Sequence, residues 1–406
     1  MSKVLSNINK TKYILYDNIL EKVFYFFLFL VFARSFQPAT YGEFVTVNNL
    51  GNILITITEF GLYIQLQRLI AEDISKSGKT LSNFIFLYSF IFLSDLFISI
   101  VVYFFFYHYL NAQFFFCIIL WTAISSLSSG LGYAYFGLQK YKTHFYINLL
   151  PKIIFFIITA GTIVFLRNFS IAILILSVGV IFHILLIFKF FPYKINLKEY
   201  DFKYIYSVFI ASLPLGAAIT FNFLYDKIDI LILSKMTDLS LLAMYGIAYG
   251  IYKSSSLCFS FIQTNALSVI AGLNKNKPAI LSSLFKYAKF IIIICIGLNI
   301  IFYFFASDII RIIFSESYIG AAGVLKILSF AILPIGLNGL TGNTLNAIGF
   351  FRQNMYVTII GLLFNVLMNL IFIPVFSIYA ASVISLLTEI IVLVIDVFLI
   401  YKFIKS

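Results

Sequence analysis

The chain has 406 residues, of which 62% are hydrophobic and only 11% charged, with a mean hydropathy of +1.03. A soluble domain carries roughly 25% charged residues, and no single soluble core buries 49 Phe and 27 Tyr, so the composition defines an integral membrane protein. The net charge of +12 would suit a nucleic-acid partner, but its placement along the chain argues against nucleic acid, as shown below.

The N-terminal stretch "MSKVLSNINKTKYILYDNILEK" is polar and basic. It has no small-residue cleavage site before the first apolar run, so no cleavable signal peptide is expected. Twelve apolar segments then follow, each near the about 20 residues that a helical span needs. The first six cover 14–36, 42–67, 81–107, 111–136, 145–166 and 170–190. The second six cover 204–235, 241–270, 285–306, 322–346, 354–374 and 379–402. Long apolar runs exclude an outer-membrane barrel, whose strands alternate over about ten residues.

Span one ends with Arg34 in "LVFARSFQPATYG". An arginine there fits a snorkelling side chain at the interface or a ligand contact. On span two, Asn48, Asn49, Asn52, Thr56 and Glu59 fall within an arc of roughly 100°, since helical residues advance about 100° each. Span three carries Asp95, either paired or titrating. Span seven reads "FNFLYDKIDILILSK", with Asn222, Asp226 and Asp229 on one face and Lys227 turned away. Span eight carries Tyr245, Tyr249, Tyr252, Lys253, Ser256, Ser260, Gln263 and Thr264 within roughly 120°. An ionised side chain at a helix centre costs about 2.5–3.5 kcal/mol on insertion scales, and lipid does not solvate an amide row. These two stripes therefore face protein or water, either as interhelical glue or as the wall of a hydrated cavity. Lys253 sits well inside its span, and Asp226–Lys227 or Asp229–Lys253 pairing stands as the structural alternative to a substrate or coupling-ion role. Pro214 and Pro334 interrupt spans seven and ten beside glycines, which suits bending in a transport cycle or a static kink. Glu389 and Asp396 on span twelve raise the same question as Asp95. Arg167, Arg311 and Glu316 read as solvated loop charges.

Of the 28 Lys and Arg residues, 21 fall on one side if the N-terminus is cytoplasmic. They are Lys3, Lys10, Lys12 and Lys22, then Arg68, Lys76 and Lys79 after span two and Lys140, Lys142 and Lys152 after span four. Lys189, Lys194, Lys198 and Lys203 follow span six, Lys275, Lys277, Lys286 and Lys289 span eight, and Arg352 span ten. Lys402 and Lys405 end the chain. This asymmetry puts both termini in the cytoplasm and makes the basic charge a topology signal.

Two halves are visible. "YGEFVTVNNLGNILITITEFGL" aligns with "YGIAYGIYKSSSLCFSFIQTNA", and "FGLQKYKTHFYINLL" with "IGFFRQNMYVTIIGL". Six spans return the chain to its starting side, so the repeats are parallel. The expected fold is an all-α membrane protein, about 12 transmembrane helices in two pseudo-symmetric six-helix lobes around a central cavity. The N-lobe is 1–200 and the C-lobe 201–406. Cys117, Cys258 and Cys295 read as small core residues, and His108, His144 and His183 are scattered, so no metal is expected. No Walker A loop, H-E-x-x-H or G-x-S-x-G occurs, and the loops are short. An enzyme is not expected, and no cofactor.

"PATYGEF", "YFGLQKYK", "LYDKIDILILSKMTDLSLLAMYGIAYGIYK", "LNAIGFFRQN" and "IPVFSIYAASVISLLTEI" together resemble the polysaccharide transporter (O-antigen flippase) family of the multidrug/oligosaccharidyl-lipid/polysaccharide exporter superfamily. The resemblance covers nearly the whole chain. It implies movement of undecaprenyl-pyrophosphate-linked oligosaccharide across the bacterial inner membrane by alternating access, as part of O-antigen, capsule or lipopolysaccharide biosynthesis. It also implies contact with other polysaccharide-assembly proteins. Carried onto this sequence, it implies substrate contacts from Arg34, Asn49, Lys227, Tyr249, Lys253 and Ser256. The sequence departs from the family in having few cavity cations, span two offering Asn48 and Asn49 without one. Asp95, Asp226 and Asp229 stand as coupling-ion or structural groups. The alternatives are a multidrug-type cation exporter, which would favour carboxylates, a lipid-linked peptidoglycan-precursor flippase, and a membrane glycan polymerase or glycosyltransferase, which would need a long catalytic loop.

Overall fold

The computed structural model describes residues 2–197 and 200–405, with side chains from residue 12 onward. The side chains of Lys3 and Lys10, and Lys198 entirely, lie outside the described residues. The described residues form helices and no strands. In chain order these are α1 (Ser2–Ser35), α2 (Pro38–Glu59), α3 (Leu62–Glu72), α4 (Ser77–Val102), α5 (Ala112–Gly137), α6 (Tyr141–Leu166) and α7 (Phe169–Phe190). Then come α8 (Phe202–Met236), α9 (Leu239–Ser254), α10 (Leu257–Gly272), α11 (Lys277–Phe304), α12 (Ala306–Ile313), α13 (Ala321–Ala347) and α14 (Phe351–Lys405).

Eight of these elements are long and apolar enough to cross a bilayer, and the bent pair α2–α3 makes a ninth. The 55-residue α14 is two rods, because Ser377 leaves helical geometry at φ 52° and ψ −135°. With α1 and the consecutive pair α9–α10, the rods follow the twelve apolar segments of the sequence. The chain is a multi-pass membrane protein. Its outward side chains are those that lipid accepts, with Phe97, Phe104, Phe105, Phe165 and Val375 all exposed.

The helices gather into two compact units. One comprises Met1–Phe36 and Val47–Thr220; the other comprises Gln37–Thr46 and Phe221–Ser406. Each is built round one buried rod. In the first, α5 packs on α3, α4, α6 and α7; in the second, α13 packs on α9, α10, α11, α12 and α14. Each hub is the fourth span of its six. The cause is readable in the residues, since both rods are rich in Gly, Ala, Ser and Thr, which let neighbours approach closely. Gly132 is one such contact, since a Cβ there would lie 2.6 Å from Nε2 of His144.

Cys117 and Cys295 are buried as expected, but Cys258 is exposed on α10. His144 and His183, far apart in sequence, lie with ring centroids 6.0 Å apart in the first unit. Among the described residues no cluster of three or more His, Cys, Asp and Glu could hold a metal ion.

Candidate functional site

In the second unit, the charges of spans seven, eight and twelve converge. Between α9 and α10 the span tightens for one turn without leaving helical geometry: Ser255 and Ser256 keep φ/ψ of −58°/−27° and −59°/−23°, and Ser255 N–H is shared between the carbonyls of Ile251 and Tyr252. Lys253 lies just before that turn, well inside the span, and what accommodates it there is a carboxylate partner.

Asp226, on α8, is the centre of the cluster. Its Oδ1 lies 2.5 Å from Nζ of Lys253 and its Oδ2 3.1 Å from Nζ of Lys227. Lys227 leaves the helix on a different face, yet its long stem reaches back to the same carboxylate. The hydroxyl of Tyr249 donates to Oδ1 of Asp226 at 2.9 Å and to the Asp226 carbonyl at 2.6 Å. Both ammonium groups also lie over the Tyr249 ring, at 5.0 Å for Lys227 and 5.5 Å for Lys253. The expected Asp229–Lys253 pair is not formed; Asp229 accepts from the Tyr245 hydroxyl and from its neighbour's backbone N–H, Ile230, at 2.8 Å. Glu389, from the second rod of α14, stands 3.9 Å from Lys253 and accepts from Asn338 at 2.7 Å.

The two lysines and Asp226 keep about a quarter of their side-chain surface, 24%, 24% and 28%, whereas Glu389 keeps 8%. The space beside them, lined by Tyr252, Asn365, Ser385 and Thr388, amounts to about 10 Å³, room for roughly one water molecule. The lysines are thus neutralised internally. The hydroxyl of Tyr252 is buried there without a hydrogen-bond partner among the described residues. Ser256 is half-buried at the tightened turn itself.

The other expected residues lie elsewhere. Arg34 is exposed in the last turn of α1, and Asn49 is half-buried on α2; both belong to the first unit. The polar row of span two is largely bonded to its own helix, Asn52 to the Asn48 carbonyl at 2.7 Å and Thr56 to the Asn52 carbonyl at 2.7 Å. Asp95 is buried and accepts from Thr58 at 2.8 Å. Asp396 accepts from Thr341 at 2.8 Å, and Glu59 from Tyr88 at 3.1 Å and Ser126 at 3.2 Å. Arg311 and Glu316 pair with each other at 2.6 Å on the surface. Pro334 lies inside a continuous α13, while the break in α14 falls at Ser377, in the gap between the eleventh and twelfth apolar segments of the sequence.

One polar assembly escaped that reading. Lys152, counted as a connecting charge, lies within α6. With Asp17, Glu21, His144, Asn148 and His183 it lines a cavity of about 210 Å³ in the first unit. The periodicity applied to spans two and eight would have found it, because Asp17, Glu21 and Tyr25 on α1, and His144, Asn148 and Lys152 on α6, recur every four residues.

A family model for MatE matches residues 214–371, which includes the charged cluster's Asp226, Lys227, Asp229 and Lys253. An uncharacterized membrane protein of Methanocaldococcus jannaschii is 33% identical over 107 residues, 26% of this chain. That match spans only about a fifth (21%) of the relative's length. Among solved structures, the lipid II flippase MurJ in an inward closed conformation superposes with a TM-score of 0.74, at 16% identity over 98% of this chain and 89% of that one. An inward-facing multidrug resistance MATE family transporter of the MOP superfamily gives 0.72, at 12% identity over 95% and 96%. The chain has the fold of MOP-superfamily transporters, a two-lobed, all-helical membrane architecture.

Proposed function

We propose that the chain is a flippase that carries undecaprenyl-pyrophosphate-linked oligosaccharide, an O-antigen or capsule repeat unit, across a bacterial inner membrane by alternating access. In this reading the halves 1–200 and 201–406 are the moving bodies and both termini are cytoplasmic. The observation that carries it is the pair of partly exposed ammonium groups, Lys227 and Lys253, held on Tyr249 and matched by one shared carboxylate. A pyrophosphate competes with Asp226 for those two cations, and charge-assisted hydrogen bonds at low dielectric favour it. Tyr249 and Ser256 offer sugar-binding hydroxyls. Arg34 and Asn49 are the proposed contacts from the first unit. Asp226 and Asp229 hold the cations and tyrosines in place, and Asp95 serves as a structural or coupling-ion group.

A multidrug cation exporter is the second reading, supported by the MatE match and the fold shared with a MATE transporter. It needs available carboxylates. Asp226, the centre of the cluster, is already engaged by both lysines, which favours an anionic cargo there. Asp396, whose Oδ1 has no hydrogen-bond partner among the described residues, is the carboxylate this second reading would use.

The deciding experiment is complementation of a strain that lacks its own O-unit flippase, read as surface polysaccharide. The wild type is expected to restore it, and Lys253→Ala to abolish it at unchanged protein level. Full export by Lys253→Ala, or drug resistance without glycan export by the wild type, would refute the proposal.

A further inference from the structure

The cavity of the first unit is chemically unlike the charged cluster of the second. Four helices form it: α1 with Asp17 and Glu21, α5 with Trp121, Ser125 and Ser129, α6 with His144, Asn148 and Lys152, and α7 with His183. Its acids are of two kinds. Asp17 is buried and consumed, with Asn148 donating to Oδ1 at 2.6 Å and His144 Nδ1 2.9 Å from Oδ2, off the ring's N–H axis. Glu21 is exposed at the rim.

Its donors are the opposite. Lys152 is half-buried and makes no hydrogen bond or ion pair among the described residues. His183 is 92% buried (8% exposed), and Ser128 Oγ lies 2.8 Å from its Nδ1. With that hydroxyl donating, the proton of a neutral imidazole rests on Nε2. Nε2 has no partner among the described residues, so a buried donor goes unused. An unsatisfied buried donor is costly and marks a site for a missing acceptor. Aromatic rings complete the wall: Trp121, Tyr25 (ring centroids 6.2 Å apart) and Tyr133.

We propose that this cavity binds a single acidic sugar ring, a monosaccharide bearing a carboxylate. The carboxylate takes the Lys152 ammonium and the His183 Nε2–H. The ring's apolar face lies against the aromatic wall, and its hydroxyls meet Ser125, Ser129 and the rim carboxylate of Glu21. The volume supports one ring rather than a chain, since about 210 Å³ falls below the roughly 300–1,000 Å³ of drug-sized pockets. A simple inorganic anion would leave the aromatic wall and Glu21 without a role. An organic cation would leave both donors unpaired. That the sugar belongs to a glycan cargo rests on the function proposed above; the binding itself does not.

Trp121 is the sole tryptophan of the chain, so its emission reports on this cavity alone. Purified full-length protein is titrated with glucuronate, glucose, acetate and inorganic phosphate. Glucuronate is expected to shift Trp121 emission saturably, with the other three at least about tenfold weaker. Lys152→Gln and, as a second variant, His183→Asn should each weaken glucuronate about tenfold or more, the loss of one hydrogen bond to a charged group. Lys253→Gln, in the other unit, should leave the curve unchanged. No saturable response, equal responses to acetate, phosphate or glucose, or wild-type affinity in folded Lys152→Gln and His183→Asn would overturn the proposal. Glucuronate binding without glycan export in the complementation assay would overturn the cargo reading and leave this site standing; export without glucuronate binding would do the reverse.

Discussion

Asp226 holds two ammonium groups at once, and its two neighbours are not equivalent. Removing Lys253 leaves Asp226 still paired with Lys227 at 3.1 Å. Removing Asp226 leaves two ammonium groups facing one carboxylate that stands 3.9 Å from the nearer. Breaking a buried pair costs about 3–5 kcal/mol, and the partial exposure of these groups places the cost at or below the lower end. Asp226→Asn is therefore expected to lower the melting temperature more than Lys253→Ala. If Asp226 stands where a cargo pyrophosphate would sit, Asp226→Asn should also bind inorganic pyrophosphate more tightly than the wild type, and Lys253→Ala more weakly. Weaker binding by Asp226→Asn, measured by calorimetric titration, would defeat the idea of an internal stand-in anion. A second residue-scale expectation concerns Asp73, in the connection after α3. Lys76 Nζ at 2.8 Å and the Ser75 hydroxyl at 2.5 Å hold its carboxyl down to about 2. Its folded value lies below the usual carboxylate value of about 3.9, so its contribution is full above that value and is lost as pH falls toward 2. The melting difference between wild type and Asp73→Asn should stay constant from pH 5 to 8 and shrink below about pH 4. A difference that changes between pH 5 and 8 would point to another group.

At the scale of elements, the two Tyr-Gly motifs that align the halves also do packing work. A Cβ on Gly42 would lie 1.8 Å from the carbonyl oxygen of Leu239, so the start of α2 rests on the backbone at the start of α9. A Cβ on Gly246 would lie 3.1 Å from Val45, the reciprocal contact. Tyr41 meets Tyr318 edge-on, with ring centroids 5.9 Å apart. Gly42→Ala must push one backbone off another, at a cost of roughly 1–3 kcal/mol. Gly297→Ala, on α11, meets nothing within 4 Å and should be neutral or stabilising by up to about 1 kcal/mol. Thermal unfolding of the two variants checks this, and equal melting temperatures would mean that the α2–α9 contact is not made. The sequence carried these motifs as an alignment anchor because a repeat shows in residue identity. It did not carry the tightened turn at Ser255–Ser256. Serine is tolerated inside a membrane helix, and whether it tightens a turn there depends on tertiary contacts.

For the whole molecule, hydropathy carried most of the fold, because in lipid every backbone group must be satisfied within a helix and a run of about 20 apolar residues has few other options. Partners were less legible. Periodicity placed Asp226, Asp229 and Lys253 on inward faces, but which lysine meets which carboxylate depends on side-chain reach across helices, and Lys227 reached back to the face it seemed to leave. The first unit's cavity was missed for a different reason: the four-residue recurrence of His144, Asn148 and Lys152 on α6 is legible in the sequence but was not sought, and that this face meets α1, α5 and α7 is set by tertiary packing. Orientation rests on charge alone. If the basic connections are cytoplasmic, single cysteines in an otherwise cysteine-free chain report it directly. Lys142→Cys and Lys275→Cys lie at exposed positions in the connections after spans four and eight. Arg167→Cys and Arg311→Cys lie at exposed positions in connections of the opposite set. In intact cells a membrane-impermeant maleimide should label the Arg167 and Arg311 positions and spare the other two, which should react only after permeabilisation. The four sites also test the span count, since an extra or missing crossing between residues 142 and 311 would put members of one pair on opposite sides. Labelling of Lys142→Cys in intact cells would invert the topology. The two basic clusters would then face outward, against the charge bias that orients short membrane loops, and the proposed direction of cargo movement would have to be reversed with it.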